Sequence, residues 1–252
     1  MRYPIIRNTC TLSLGLIIAA SPALAESDQE ADGIIVVTAG RTPQPLSQTG
    51  QSITVLDQEL IEKTQSATVI DLLRNVPGVT VNSNGGVGTV SAVNIRGGDS
   101  SQTVALIDGV KINDPASPGG GFNFGNLLTG NISRIEILRG SQSVIWGSQA
   151  VGGVVNIITS EPGEDLGINA RAEYGARDTG QIVGNVSGTL GPVAASFGAG
   201  YYRTDGFSAF NRDRGGIEAD GYRNFGANGK VEISLGDMFS IDLRGYYSDG
   251  KT

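Results

Sequence analysis

Histidine is absent from this 252-residue sequence, and the single cysteine is Cys10. That excludes a Ser-His-Asp triad, a Cys-His pair and every histidine-based metal site. The groups left with chemical potential are carboxylates. Asp99, Asp108, Asp114 and Glu136 offer an acid–base pair on paper, but nothing else of a catalytic constellation accompanies them, so an enzyme is not expected. Residues 84–88, NGGVG, have the glycine content of a phosphate cradle. No Lys-Ser/Thr comes after them and no helix opens there, which removes that reading. Asp205, Asp213, Glu218 and Asp220 lie with Asn211 in a polar stretch, 203–221. Hard cations such as calcium take several oxygens from flexible groups like these. The spacing is not that of an EF-hand, and Arg212 and Arg214 offset Asp213, so a solvated acidic loop is the simpler expectation. With a net charge of −7 the chain is not expected to bind nucleic acid.

A second kind of chemistry belongs to the backbone. Asp32, Gly33, Ile34, Ile35, Val36, Val37, Thr38 and Ala39 form a short run with five β-branched residues. No partner strand is evident nearby in sequence, and Pro43 and Pro45 set the run apart from the next domain. Such a segment on a flexible leash suits strand addition to another protein's sheet edge; an ordinary first strand of the next domain is the alternative.

Residues 1–25 have a signal-peptide layout: Arg2 and Arg7, an apolar run 12–20, then Ala23-Leu24-Ala25 as the cleavage site. Cys10 falls inside the removed part, so the mature chain has no disulfide. No later stretch is apolar enough for a transmembrane helix. Residues 26–51 are expected to be a flexible segment carrying the run 32–39. Residues 52–162 read as a compact α+β domain: strands at 52–56, 79–81, 93–95, 103–107 and 110–112, and two short helices. Asp57 caps the first helix, through Thr64, and Ser66 or Thr68 the second, which carries Val69, Leu72 and Leu73. Asp108-Gly109 is a hairpin turn. The runs 135–138 and 154–158 are apolar on both sides, as in strands buried on both faces.

After Pro162 the pattern changes to dyad alternation. Ile168, Ala170, Ala172 and Tyr174 alternate with Asn169, Arg171 and Glu173; further such segments cover 181–190, 193–201, 223–235 and 240–247. About five segments of this kind, joined by turns at Gly191-Pro192 and Gly236-Asp237, a medium loop 175–180 and the long loop 203–221, match a transmembrane β-barrel wall. A soluble β-sandwich is the rival.

Together these pieces resemble one family, the TonB-dependent outer-membrane receptors of Gram-negative bacteria. The resemblance is carried by the signal peptide, DGIIVVTA (32–39) where that family has its TonB box, LLRNVPGV (72–79), NIRGG (94–98), LIDGVKIND (106–114) and RIEILRGSQSVIWGSQAVGGVVNIIT (134–159). Within the family, VVTAGR, NGGVG and IRGG look most like the cobalamin (vitamin B12) receptors, and siderophore receptors share much of the rest. The resemblance implies a plug domain, 52–162, inside an antiparallel barrel of about 22 strands. Only about five strands are present, so residues 163–252 read as the start of the barrel and the chain as an amino-terminal fragment.

The function so implied is energised uptake of a scarce, bulky ligand, cobalamin or a metal–siderophore complex. The partners implied are outer-membrane lipid and a TonB-type energy-coupling protein that pairs with 32–39 in the periplasm. A non-energised porin or adhesin would need neither the plug nor that segment. Plug-apex contacts with ligand are expected at Asn82, Ser83, Asn84, Gly85, Ser91, Asn113, Asp114, Ser117, Phe122 and Asn123. Arg96 and Arg139 are expected to be buried against carboxylates, Glu136 among them. No cofactor is required. Calcium ordering of the 203–221 loop through Asp205, Asp213 and Asp220 is the one metal role the cobalamin-type resemblance implies.

Overall fold

The structure is a computed structural model that describes residues 33–116, 120–208, 210, 212–216, 218–236 and 238–252. The signal peptide, Asp32, Ser117, Asn211 and Asp237 lie outside the described residues.

Strands that are apolar on both faces are the centre of the first body. Strands β1 (Ile35–Val36) and β2 (Gln44–Pro45) pair antiparallel. Then come β3 (Ser52–Leu56), α1 (Gln58–Thr64), α2 (Val69–Leu73), β4 (Val79–Ser83), β5 (Ser91–Ile95), β6 (Thr103–Ile107), β7 (Val110–Lys111), β8 (Ile132–Arg139), α3 (Ser143–Trp146) and β9 (Gly153–Thr159). The main sheet has the order β3-β8-β9-β6-β7, and β4 and β5 form a separate hairpin. Only the β6–β9 pairing is parallel in that sheet. Asp57 caps α1 by accepting from the Leu60 N–H at 2.8 Å. Thr68 precedes α2 without a side-chain cap; its hydroxyl donates to Asp71 instead. Asp108 (φ 49°) and Gly109 (φ 78°) turn β6 into β7 with the left-handed pair a tight hairpin needs.

The sheet is covered on both faces, which explains its apolar runs. One parity, including Ile135, Ile137, Val155, Ile157, Ala105 and Ile107, packs with α1, α2 and the β4–β5 hairpin. The other parity, Leu138, Val154, Val104 and Leu106, packs with Trp146, Ala150, Val36 and Ala39. The cover on this second face is therefore the segment expected to be a flexible leash. It has a partner strand eight residues on, β2, and its Val36 side chain is fully buried. The described part of 26–51 is thus a docked piece of the domain, whose structural boundary lies ahead of residue 52. Sequence alternation is blind to it because the ladder with β2 is only two residues long.

The second body is a five-stranded antiparallel meander: β10 (Gly167–Gly175), β11 (Thr179–Leu190), β12 (Val193–Thr204), β13 (Tyr222–Ser234) and β14 (Ser240–Lys251). Its outer face exposes Ile168, Tyr174, Ile182, Phe197, Tyr201, Phe225, Leu243 and Tyr247, while Gln181, Ser196, Tyr202, Tyr222 and Asn224 are buried on the inner side. Apolar-out, polar-in alternation is the pattern of a lipid-facing wall. The β10–β11 connection is tighter than a medium loop: three residues, with Arg177 and Asp178 at positive φ. Plug and wall touch through polar groups. The Tyr222 hydroxyl donates to Asn126 Oδ1 (2.9 Å), Asn224 Nδ2 donates to the Asn126 carbonyl (2.7 Å), and Arg244 donates to the Asp108 carbonyl. No described helix is long and apolar enough to cross a membrane.

Candidate functional site

Two places can do work. The first surrounds Thr38. Strands β8 and β9 are largely buried, yet each carries one polar side chain in the middle, Glu136 and Asn156, 0% and 2% exposed. They are register partners on the second face. Buried polar groups must find partners, and both find them in the docked segment. Glu136 accepts from the Val37 N–H (3.1 Å), the Thr38 N–H (2.8 Å) and the Thr38 hydroxyl (2.5 Å). Arg134 Nε donates to the same carboxylate at 3.0 Å and balances its charge. Asn156 Nδ2 donates to Thr38 Oγ1 (2.9 Å), and Trp146 Nε1 donates to the Thr38 carbonyl (2.9 Å). The Arg41 guanidinium lies 4.6 Å from the centre of the Trp146 ring. Every hydrogen-bonding group of Thr38 is engaged by the plug, whereas Ile35 is 44% exposed. Polar contacts of this kind, at a short edge, can be exchanged for those of another chain.

Arg96 and Arg139 are not the partners of Glu136. Arg96 is exposed, with φ 52°, and its backbone N–H donates to the Gly78 carbonyl. Arg139, half-buried, donates to the Pro77 carbonyl (2.6 Å) and to Thr54 Oγ1 (2.8 Å). The reason is parity: Glu136 points to the second face, while Arg139 sits at the strand end against β3 and the Pro77-Gly78 turn. The roles of Arg134, Asn156 and Trp146 escaped sequence reasoning. The available signal was a lone polar residue inside each of two otherwise apolar runs.

The second place is the apex formed by the 84–90 loop, residues 112–116 and 120–126, and the wall. Several of the residues expected at the ligand also brace the apex. Asn123 Oδ1 accepts from the Ser91 and Gly125 N–H groups (2.9 and 3.0 Å). Asn113 accepts from the Ala105 N–H and donates to the Thr103 and Gly120 carbonyls. Ser91, buried, donates to Ser83 Oγ, and Phe122 packs edge-on against buried Phe124 at 4.9 Å. Asn82, Asn84, Gly85 and Asp114 keep accessible surface, although Asn82 donates to Asn94 and Asp114 accepts from the Ala116 N–H. Gly88, at φ 85°, lets the loop pass the Tyr222 ring, where a Cβ would lie 2.1 Å from ring carbons. A cavity of about 140 Å³ opens between this loop and the wall, lined by Gly86, Val87, Arg177, Thr179, Tyr202 and Phe207 among others. The Arg177 guanidinium stacks 5.1 Å from the Phe207 ring centre.

Asp108, Asp99 and Asp205 each have a partner within the chain. Asp108 accepts from the Thr159 N–H and hydroxyl. Asp99 caps the 100–102 turn, where the Ser101 N–H and hydroxyl hold its carboxyl below the usual carboxylate range. Asp205 pairs with Arg203 at 3.4 Å. Asp205, Asp213 and Asp220 do not assemble into a group of three side chains able to share a cation, and no such group of acidic, Cys or His residues occurs among the described residues.

Comparison with known proteins agrees with this anatomy. Residues 45–154 match the family model described as TonB-dependent Receptor Plug Domain. The chain is 34% identical over 229 residues to a protein named vitamin B12 transporter BtuB from Photobacterium profundum, covering 90% of this chain and 37% of that protein. A protein of the same name from Vibrio vulnificus is 31% identical over 241 residues, covering 95% and 39%. The chain thus spans well under half the length of these relatives. Among solved structures, the ferripyoverdine receptor of the outer membrane of Pseudomonas aeruginosa shares the fold, with a TM-score of 0.71 at 22% identity over 86% of this chain and 27% of that one.

Proposed function

Since this chain belongs to the TonB-dependent outer-membrane receptors, we propose that it forms the amino-terminal part of a receptor for energised uptake of a scarce, bulky ligand. The ligand is cobalamin or a metal–siderophore complex, and the higher identity to proteins named vitamin B12 transporters favours cobalamin. The partner is a TonB-type coupling protein that adds a strand to the segment at 32–39. One observation carries the reading: a β-prone segment is docked by exchangeable hydrogen bonds on a plug that is itself seated against a lipid-facing wall. The accessible apex residues Asn82, Asn84, Gly85 and Asp114, with Arg177 and Phe207 across the cavity, are the ligand-facing groups in this chain. Asn113, Ser91 and Asn123 support them.

The proposal needs no cofactor. Calcium enters it only through a rearrangement of 203–221 that gathers Asp205, Asp213 and Asp220, and ligand affinity measured with calcium and with chelator decides that point. The test of function is uptake. A Gram-negative strain whose only source of the receptor is this gene should accumulate labelled cobalamin, and only while its TonB system is intact. Accumulation that persists without that system would mean a passive channel.

A further inference from the structure

We propose that Glu136 is a latch that makes residues 36–39 a removable part of the plug core, so that withdrawing them opens the plug's second face. The identity of 32–39 as the coupling segment rests on the transport reading above; the latch itself rests on geometry.

Two amides in succession, Val37 and Thr38, point at one carboxylate. In a strand, successive N–H groups point to opposite edges. The latched backbone is therefore turned out of strand conformation after β1, and it must leave Glu136 before a partner strand can pair beyond Val36. The same residues cover apolar surface: Val36 and Ala39 are 0% and 3% exposed against Leu106, Leu138, Trp146 and Val154. Withdrawal removes three donors from a carboxylate with no exposed surface and uncovers that apolar patch in one step. A buried carboxylate left with Arg134 as its one remaining donor draws in water. Asn156 loses Thr38 as well while still accepting from the Gly109 N–H, so the disturbance reaches both β8–β9 and the β6–β7 turn. Availability of the segment and loosening of the plug sheet are thus one event, controlled by a single side chain.

The experiment is amide hydrogen exchange, read by mass spectrometry on the full-length receptor in detergent, without ligand or partner. Glu136→Gln keeps size and one acceptor but removes the charge. Thr38→Val leaves the plug strands untouched and removes only the hydroxyl. With Glu136→Gln, exchange at 36–39 should rise by at least about tenfold and exchange in β6 and β9 should rise with it; Thr38→Val should shift both in the same direction by less. Unchanged exchange at 36–39 overturns the latch. Faster exchange at 36–39 with β6 and β9 unchanged overturns the claim that the segment is part of the core. If Glu136→Gln does not assemble in the membrane, Thr38→Val decides by the same two criteria. A receptor that shows the coupled exchange but no uptake would overturn the transport reading alone. One that transports normally but shows no coupled exchange would overturn the latch alone.

Discussion

Glu136 and Asn156 stand opposite each other in the β8–β9 ladder, and both reach Thr38 across the second face of the sheet. Asn156 also accepts from the Gly109 N–H at 3.2 Å, so it ties the docked segment to the β6–β7 turn. Replacing Asn156 by Ala leaves the Gly109 N–H and the buried Thr38 hydroxyl short of a partner. Each such loss costs about 1–3 kcal/mol. Asn156→Ala in a 33–162 fragment should lower unfolding free energy by at least about that much, measured by denaturant titration; an unchanged midpoint would mean the network contributes nothing.

Strand addition requires a backbone donor, which proline lacks. Ile35 is in the β1–β2 ladder and half exposed, away from the Glu136 contacts. Ile35→Pro should therefore abolish uptake while ligand binding stays near normal. Val37→Pro additionally removes a donor to Glu136 and should loosen docking as well. Uptake by Ile35→Pro at the normal rate would place coupling elsewhere.

The second face also decides where the plug begins. A fragment starting at residue 52 lacks Val36 and Ala39 and strips Glu136 of three donors. Burying one valine side chain contributes about 1.5–3 kcal/mol, and a buried carboxylate left with Arg134 alone adds to the loss. The 52–162 fragment should be less stable than 33–162 by about 3 kcal/mol or more, visible as a lower melting temperature or as partial folding. Equal melting temperatures would show that the segment only rests on the sheet.

Much of this was legible in the sequence. Apolar runs 135–138 and 154–158 announced the central strands, Asp108-Gly109 announced its turn, and dyad alternation after Pro162 announced five wall strands. What stayed hidden depends on contacts between residues far apart in the chain. Thr38 meets Glu136, Trp146 and Asn156 about a hundred positions downstream, and local periodicity carries no trace of such pairs. The arginine–carboxylate expectation failed for a related reason. It joined residues by charge without asking which face each occupies, and alternation along β8 puts Glu136 on the face away from α1 and α2.

The wall makes the converse prediction. Ile168, Ile182, Leu190, Phe197 and Leu243 are more than half exposed, and the strands β10 and β14 end the sheet without a neighbour among the described residues. An apolar face of this extent needs lipid, and open edges invite pairing with other chains. Residues 163–252 alone in plain buffer should aggregate. A monodisperse, cooperatively melting fragment, shown by light scattering and calorimetry, would contradict a membrane wall.

At the apex, bracing and binding residues should separate by readout. Asn123 Oδ1 serves two backbone N–H groups that join the β4–β5 hairpin to the 124–126 turn. Asn123→Ala orphans both, so it should destabilise the plug by about 1–3 kcal/mol and raise hydrogen exchange in 84–91. Asn84 is exposed, and its backbone N–H bonds the Val90 carbonyl across the loop, so the side chain is free of that duty. Asn84→Ala should leave stability within about 0.5 kcal/mol. If the side chain contributes one hydrogen bond of ordinary strength to ligand, affinity should fall by roughly 3- to 10-fold. Titration of the receptor with labelled cobalamin, beside a melting curve for each variant, separates the two roles. An Asn84→Ala receptor with unaltered affinity would remove that residue from the ligand surface, and an Asn123→Ala receptor with unaltered stability would remove Asn123 from the brace.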